Sequence, residues 1–441
     1  MGILAKVGGA LQRLFGENTQ KAAEESGVIQ RTRIFTAVSL ARTFVLGFLQ
    51  NPRASDEKLA QMAVQCGAAV TVQAIEQRYT PRLVDFLQRL FRSATKLVVG
   101  SDKALAPILE RFTSVTVIDS STITLPDEMQ EQFRGCGGNY GGGAAAMKLQ
   151  TELDLRSGAL AHVEIEPGRS PDGATNRQDA RHGKGSLRIS DLGYFALAVF
   201  AAMAEAGEYF LSRLQFGTHV LHQGLAVDVM EWLAKQPGPF VDVSVLLGRE
   251  QRLPCRLIAW RLPQEQANRR RQKLRQETLS KRGHEPSAER LAWCDWTILV
   301  TNVPEELLTP PEAAVLYRAR WQVELLFKRW KSHGLVAELS GSTLVRQMVR
   351  VWSRLIAVVV QHWLTVGTVW GDATRSLHKV YEAVRAFVGR LAAALDCPTE
   401  LERVFADMGQ TFAKTCRRDK RSKAGTFELL NDVGLLDFCL T

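Results

Sequence analysis

At Ser114 the chain changes period, and that change constrains the fold more than any other feature. The run SVTVIDSSTITLP is rich in β-branched residues; its apolar half leads straight into Asp119 and a set of small hydroxyl residues. A buried strand that delivers a carboxylate to a sheet edge reads this way. Residues 147–155 and 159–166 alternate in type across an Arg-Ser-Gly link and predict a hairpin. A polar segment at 169–184 precedes a short strand at 187–190 with Asp191 at its end, an apolar helix at 192–206 and a further strand at 208–214. Residues 135–143 are glycine-dense without the order of a phosphate-binding loop, and read as a flexible connection. A strand-end aspartate is by itself as well explained by a turn or a cap as by a ligand role.

Residues 309–334 predict the second defining element, a helix with Thr309 as cap, Pro310 and Pro311 in the first turn, Glu312 closing a capping box and Gly334 as the stop. At helical pitch Tyr317, Arg320, Glu324 and Lys331 fall within an arc of about 60°, and Ala319, Val323, Leu326 and Trp330 lie opposite. Read from charge alone, the polar face is equally a solvated side with i,i+4 ion pairs. The spacing Y-(2)-R-(3)-E-(6)-K within YRARWQVELLFKRWK resembles the signature of the insertion sequence 4 family of DDE transposases. That resemblance implies an α/β fold: a ribonuclease H-like mixed sheet with an inserted β-rich domain, flanked by helical N-terminal and C-terminal regions. It makes Glu324 the third metal-binding carboxylate after Asp119 and Asp191. The DLGYF segment resembles the family's second aspartate motif, with Leu192 where a basic residue is usual.

The long separation of Asp191 and Glu324 predicts that the insertion occupies about 215–303. It carries strand-like runs at 241–248, 256–262 and 295–303, and a basic helix at 268–282. The expected domains are a helical DNA-binding region over 1–105, a catalytic domain over 106–340 and a helical region over 341–441. In the last, an apolar stripe from Leu377 to Leu395 serves as core or as a dimer contact.

A net charge of +10 points to a polyanionic partner, with a membrane surface or plain solubility as the alternatives. Residues 55–64 and 70–78 flank a glycine turn with the length of a helix-turn-helix; there Gln73, Gln77 and Arg78 would face base edges, unless the pair is an ordinary amphipathic hairpin. Arg269, Arg270 and Arg271 head a helix that either tracks phosphates or is a solvated face. The basic run at 414–423 is read the same two ways. Seven dispersed cysteines without a C-x-x-C pair indicate a reducing compartment and no zinc site. The first residues lack a secretory signal, and the apolar stretch at 355–370 is interrupted by Gln361 and His362 and falls short of a membrane span. A bacterial-type cytoplasmic protein associated with the nucleoid is expected.

The family resemblance implies two Mg²⁺ ions, with Mn²⁺ as a substitute, about 4 Å apart. Asp119 would bridge them, and Asp191 and Glu324 would each hold one. No side-chain base is required, because the ions acidify the attacking water or 3′-hydroxyl. Arg320 and Lys331 would contact phosphates and Tyr317 the cleaved strand. Trp296 and Trp321 are candidates to stack a flipped base, with core packing as the alternative for both. The expected activity is cleavage of double-stranded DNA at the element's terminal repeats and joining of the 3′-ends to target DNA by a homodimer. Two alternatives are a domesticated, non-catalytic DNA-binding protein and a nuclease of the same fold without strand transfer.

Overall fold

The computed structural model describes residues 3–31, 34–137, 144–339, 341–370, 372, 374–419 and 424–436. Residues 138–143 of the expected glycine-rich connection and 420–423 of the basic C-terminal run lie outside them. Ten strands occur in chain order among the described residues: β1 (Val115–Leu125), β2 (Ala145–Asp154), β3 (Leu160–Pro167), β4 (Leu187–Ser190), β5 (Tyr209–Arg213), β6 (Val220–His222), β7 (Leu225–Val227), β8 (Phe240–Leu247), β9 (Leu253–Arg261) and β10 (Trp296–Thr301). The chain divides into two compact units, one of residues 1–105, 120–170 and 322–421, the other of 106–119, 171–321 and 422–441.

The second unit is built on a mixed sheet in the order β1-β4-β5-β10-β9-β8-β6-β7. β1 and β4 pair in parallel with Ile118 opposite Ser190, and β4 and β5 in parallel with Ser190 opposite Ser212. Val115 to Ile118 and all of β4 are buried, as strands covered on both faces must be. The expected helix after Asp191 is delayed: a 3-10 turn at Leu192–Tyr194 comes first and the α-helix spans Leu197–Glu205. That helix returns the chain from β4 to β5 and packs Phe200 flat on Phe210, ring centroids 4.4 Å apart.

The strands of the insertion do not form a sheet of their own. β10 pairs antiparallel with β5, Val300 opposite Ser212, and β9 and β8 follow antiparallel beyond it. They share one core with the helix, in which Phe200, Phe210, Leu257, Ile298 and Trp296 meet.

The first unit is mainly helical, joined to a sheet ordered β3-β2-β1 in which β2 and β3 form the expected antiparallel hairpin. Residues 1–105 and 341–421 fall in this one unit, and 422–441 in the other. The 26-residue helix Leu344–Val369 is its axis, with Phe91 against Trp352 at 5.6 Å. Arg354, buried, donates to the carbonyls of Pro52, Leu335 and Glu338 at 2.6–3.1 Å, satisfying a charge that burial would otherwise make costly. Arg42 forms a bidentate pair with Asp396 at 2.6 and 2.7 Å, joining early and late helices. No helix among the described residues is long and apolar enough to cross a membrane.

The two helices expected on either side of a glycine turn are Asp56–Gln65 and the shorter Val72–Glu76 around Gly67, whose φ of +79° suits glycine. The second helix stops early because Thr80 precedes Pro81, is pushed to extended backbone, and caps the new helix Pro81–Thr95.

Candidate functional site

Register along the parallel strands assembles the site within the second unit. Because Ile118, Ser190 and Ser212 stand side by side, the residues that follow, Asp119, Asp191 and Arg213, arrive together at the carboxyl ends of β4 and β5 and at the point within β1 where its parallel pairing stops. Neighbouring strands lie about 4.8 Å apart, so the two carboxylates are close neighbours. This is the end of an α/β sheet at which ligands characteristically bind.

The signature residues reach this edge from a helix that starts as the capping pattern predicts. Pro310–Ala319 is preceded by Thr309, whose N–H and hydroxyl both donate to Glu312 at 2.9 Å. Arg111 adds a bidentate pair with Glu312 at 2.7 and 2.9 Å. Burial pushes the Glu312 carboxyl up, but Arg111 and Thr309 outweigh it and hold it below its usual range. Its stabilising contribution is therefore complete above the ordinary carboxylate range and is lost as pH falls through the lowered value. Glu312→Ala is expected to cost about 1–2 kcal/mol in denaturant titration at neutral pH. An unchanged midpoint would show that the box contributes nothing.

Instead of one unbroken helix over 309–334, the chain leaves helical hydrogen bonding at Arg320 and resumes as Trp321–Ser332. Tyr317 donates its hydroxyl to Asp191 Oδ1 at 3.3 Å, and Arg320 Nη1 lies 3.6 Å from Asp119 Oδ2. Burial, with the Asp191 charge beside it, pushes the Tyr317 phenol far up, so it remains a donor at neutral pH.

A cleft of about 570 Å³ opens here, lined by Arg213, Trp260, Arg270, Thr297, Arg318 and Trp321 as well as Tyr317 and Arg320. Burial first, and repulsion by Arg213 second, push Arg270 down to about 10, which leaves it charged at neutral pH. It is held in place by Trp296 O at 3.3 Å and Thr297 Oγ1 at 3.2 Å. Four guanidinium groups at one cleft make it a binding place for an anion.

Asp119 and Asp191 fit a hard divalent cation, which favours carboxylate oxygens and takes one or two such ligands alongside substrate phosphates and water. Glu324 and Lys331 belong to the first unit. Both are partly buried on Trp321–Ser332, whose other side buries Val323, Leu326 and Trp330. Burial lowers the Lys331 ammonium below its usual value. Among the described residues no three His, Cys, Asp or Glu side chains are grouped closely enough to hold one ion.

The remaining sequence candidates separate by environment. Of the three consecutive arginines in the helix Gln264–Arg282, Arg269 is exposed and paired with Glu265 at 2.5 Å, Arg270 enters the cleft, and Arg271 is tied to Asp295, to Asn268 at 2.6 Å and to Leu291 O at 3.3 Å. Trp296 is 7% exposed in the sheet core, whereas Trp321 is 44% exposed at the cleft. In the first unit Gln77 and Arg78 line a separate cleft with Arg31 and Arg82, and Arg78 stacks on Phe35 at 5.3 Å. Gln73 is exposed outside that lining.

Sequence reasoning missed Arg213, Arg318 and Trp260. For Arg213 a signal existed: VID, ISD and LSR each place an ionisable residue after two strand residues that stand in the same register. For Trp260 no local signal exists, because β9 reads as any apolar strand.

Residues 110–360, more than half of the chain, match the family model of the transposase DDE domain. Among similar proteins is the transposase for insertion sequence element IS231B of Bacillus thuringiensis subsp. berliner, 27% identical over 369 residues, covering 77% of this chain and 75% of that protein. Another is the transposase for insertion sequence element IS1151 of Clostridium perfringens, 25% identical over 314 residues and 65% of each chain. The matched span holds Asp119, Asp191 and the whole Tyr317, Arg320, Glu324 and Lys331 series, and the chain belongs to the family of transposases with a DDE domain.

Proposed function

We propose that this chain binds the terminal repeats of an insertion sequence, cleaves phosphodiester bonds at the element ends and joins the freed 3′-ends to target DNA. The observation that carries the reading is the pair Asp119 and Asp191 on adjacent parallel strands, contacted by Arg320 and Tyr317 and bordered by a cleft with four arginines. The DDE domain implies dependence on divalent metal; Mg²⁺, held by Asp119, Asp191 and Glu324, is the proposed ion. Bound there, two such ions would make the attacking oxygen more anionic and stabilise the leaving oxygen.

The protein's own residues do the rest. Arg213, Arg270 and Arg320 take phosphate oxygens, and their partial burial strengthens each contact relative to one in open water. Trp321 offers an exposed ring for base stacking beside them. Gln77 and Arg78 bind DNA in the first unit with Arg31 and Arg82, and Arg269 adds a phosphate contact from outside the cleft. The two ends of an element must be held together, so the active form is a homodimer on double-stranded DNA.

Incubation of the purified protein with terminal-repeat duplexes and Mg²⁺ tests the reading. Nicked ends followed by joined products are expected. Nicks without joining would favour the same-fold nuclease, and binding without nicks a non-catalytic DNA-binding protein.

Lys331 is assigned to a phosphate. Lys331→Ala is expected to weaken binding to all duplexes alike and to reduce the slope of log affinity against log salt by about one unit. A slope equal to that of the wild type would remove the contact.

A further inference from the structure

Arg320 and Tyr317 do more than line the cleft. Arg320 Nη1 is 3.6 Å from Asp119 Oδ2, and the Tyr317 hydroxyl donates to Asp191 Oδ1 at 3.3 Å. Tyr317 and Arg320 are one helical turn apart, and the two carboxylates directly follow Ile118 and Ser190, paired residues of adjacent strands. One short segment of chain therefore holds both carboxylates at once.

A divalent cation requires the same oxygen lone pairs. The Arg320 and Asp119 side chains are only 14% and 20% exposed, so solvent screens little of the repulsion between a guanidinium and an ion sharing that carboxylate. Arg320 and Tyr317 also face a cleft whose other arginines would hold a phosphate backbone. The same two groups thus stand between two sets of anions, the carboxylates on the strands and the phosphates of a bound duplex.

We propose that the divalent cation and the Arg320–Tyr317 pair exchange on Asp119 and Asp191. A cation arriving at the carboxylates turns Arg320 and Tyr317 toward DNA in the cleft, and DNA in the cleft draws them off the carboxylates and opens the site to the cation. Linkage makes the effect reciprocal, so each ligand raises the affinity for the other by the same factor. The inference rests on the reading of Asp119 and Asp191 as cation ligands. It adds that the signature arginine and tyrosine couple metal loading to DNA engagement, which keeps the hydrolytic centre under-loaded away from its substrate.

The test uses the full-length protein with Mn²⁺ alone as probe, following free Mn²⁺ by electron paramagnetic resonance, with and without a duplex of arbitrary sequence at low salt. Without DNA, R320Q is expected to bind Mn²⁺ about tenfold more tightly than wild type, Y317F in the same direction by a smaller factor, and R320K like wild type. The duplex is expected to tighten Mn²⁺ binding about tenfold in wild type and less than about twofold in R320Q. Equal or weaker Mn²⁺ binding in both R320Q and Y317F, with binding lost in D119N, overturns the exchange and leaves the reading of the carboxylates standing. Unchanged Mn²⁺ binding in D119N overturns that reading and the exchange with it.

Discussion

Asp119→Asn, Asp191→Asn and Glu324→Gln are each expected to lower the rate of Mg²⁺-dependent cleavage at least about a thousandfold, or about 4 kcal/mol in barrier, with duplex affinity kept within about tenfold. An amide keeps the size and one acceptor oxygen of the carboxylate but removes the charge that a divalent ion requires. Asp119 and Asp191 are the more constrained pair, because adjacent parallel strands fix their separation and neither can leave without breaking register. Glu324 is assigned by its place four residues beyond Arg320 in the signature, and its variant is the sharpest test of the triad. Rates for Glu324→Gln within tenfold of wild type would reduce the site to two carboxylates. Retained cleavage in Asp119→Asn would place the chemistry elsewhere.

The second large effect concerns stability. Trp296→Ala is expected to cost about 3–5 kcal/mol, because the ring is buried with Phe200, Phe210 and Ile298 and its loss leaves a cavity in the sheet core. Trp321→Ala, at the exposed cleft residue, is expected to change stability by no more than about 0.5 kcal/mol while weakening capture of a displaced base by about 1–3 kcal/mol. Thermal denaturation and binding to a duplex with an unpaired base separate the two. A Trp296→Ala protein that unfolds like wild type yet fails in base capture would reverse the assignment of the two rings.

Much of the site was legible because its signals are local. The capping pattern at Thr309 and Glu312 predicted the start of the signature helix, and its apolar side predicted the burial of Val323, Leu326 and Trp330. A β-branched run through Asp119 marked β1, and the short run before Asp191 marked β4. The break at Arg320 was not legible, since no glycine or proline stands near it.

The basic helix Gln264–Arg282 shows where local reading fails. Three consecutive arginines project 100° apart, so one helix sends Arg269 to solvent, Arg270 into the cleft and Arg271 to Asp295. The partners that sort them lie on other strands and turns. Charge counting gave all three one role.

By itself the sequence marked β1 to β5, Asp119 and Asp191 upon them and the start of the signature helix at Thr309, because periodicity, caps and β-branching act over a few residues. Only the tertiary structure decided that β10 joins β5 and extends the sheet, that Trp296 lies in the core, and that Arg213 stands beside Asp191. Those outcomes depend on hydrogen-bond register between strands far apart in the chain, where a shift of one residue turns every side chain to the other face.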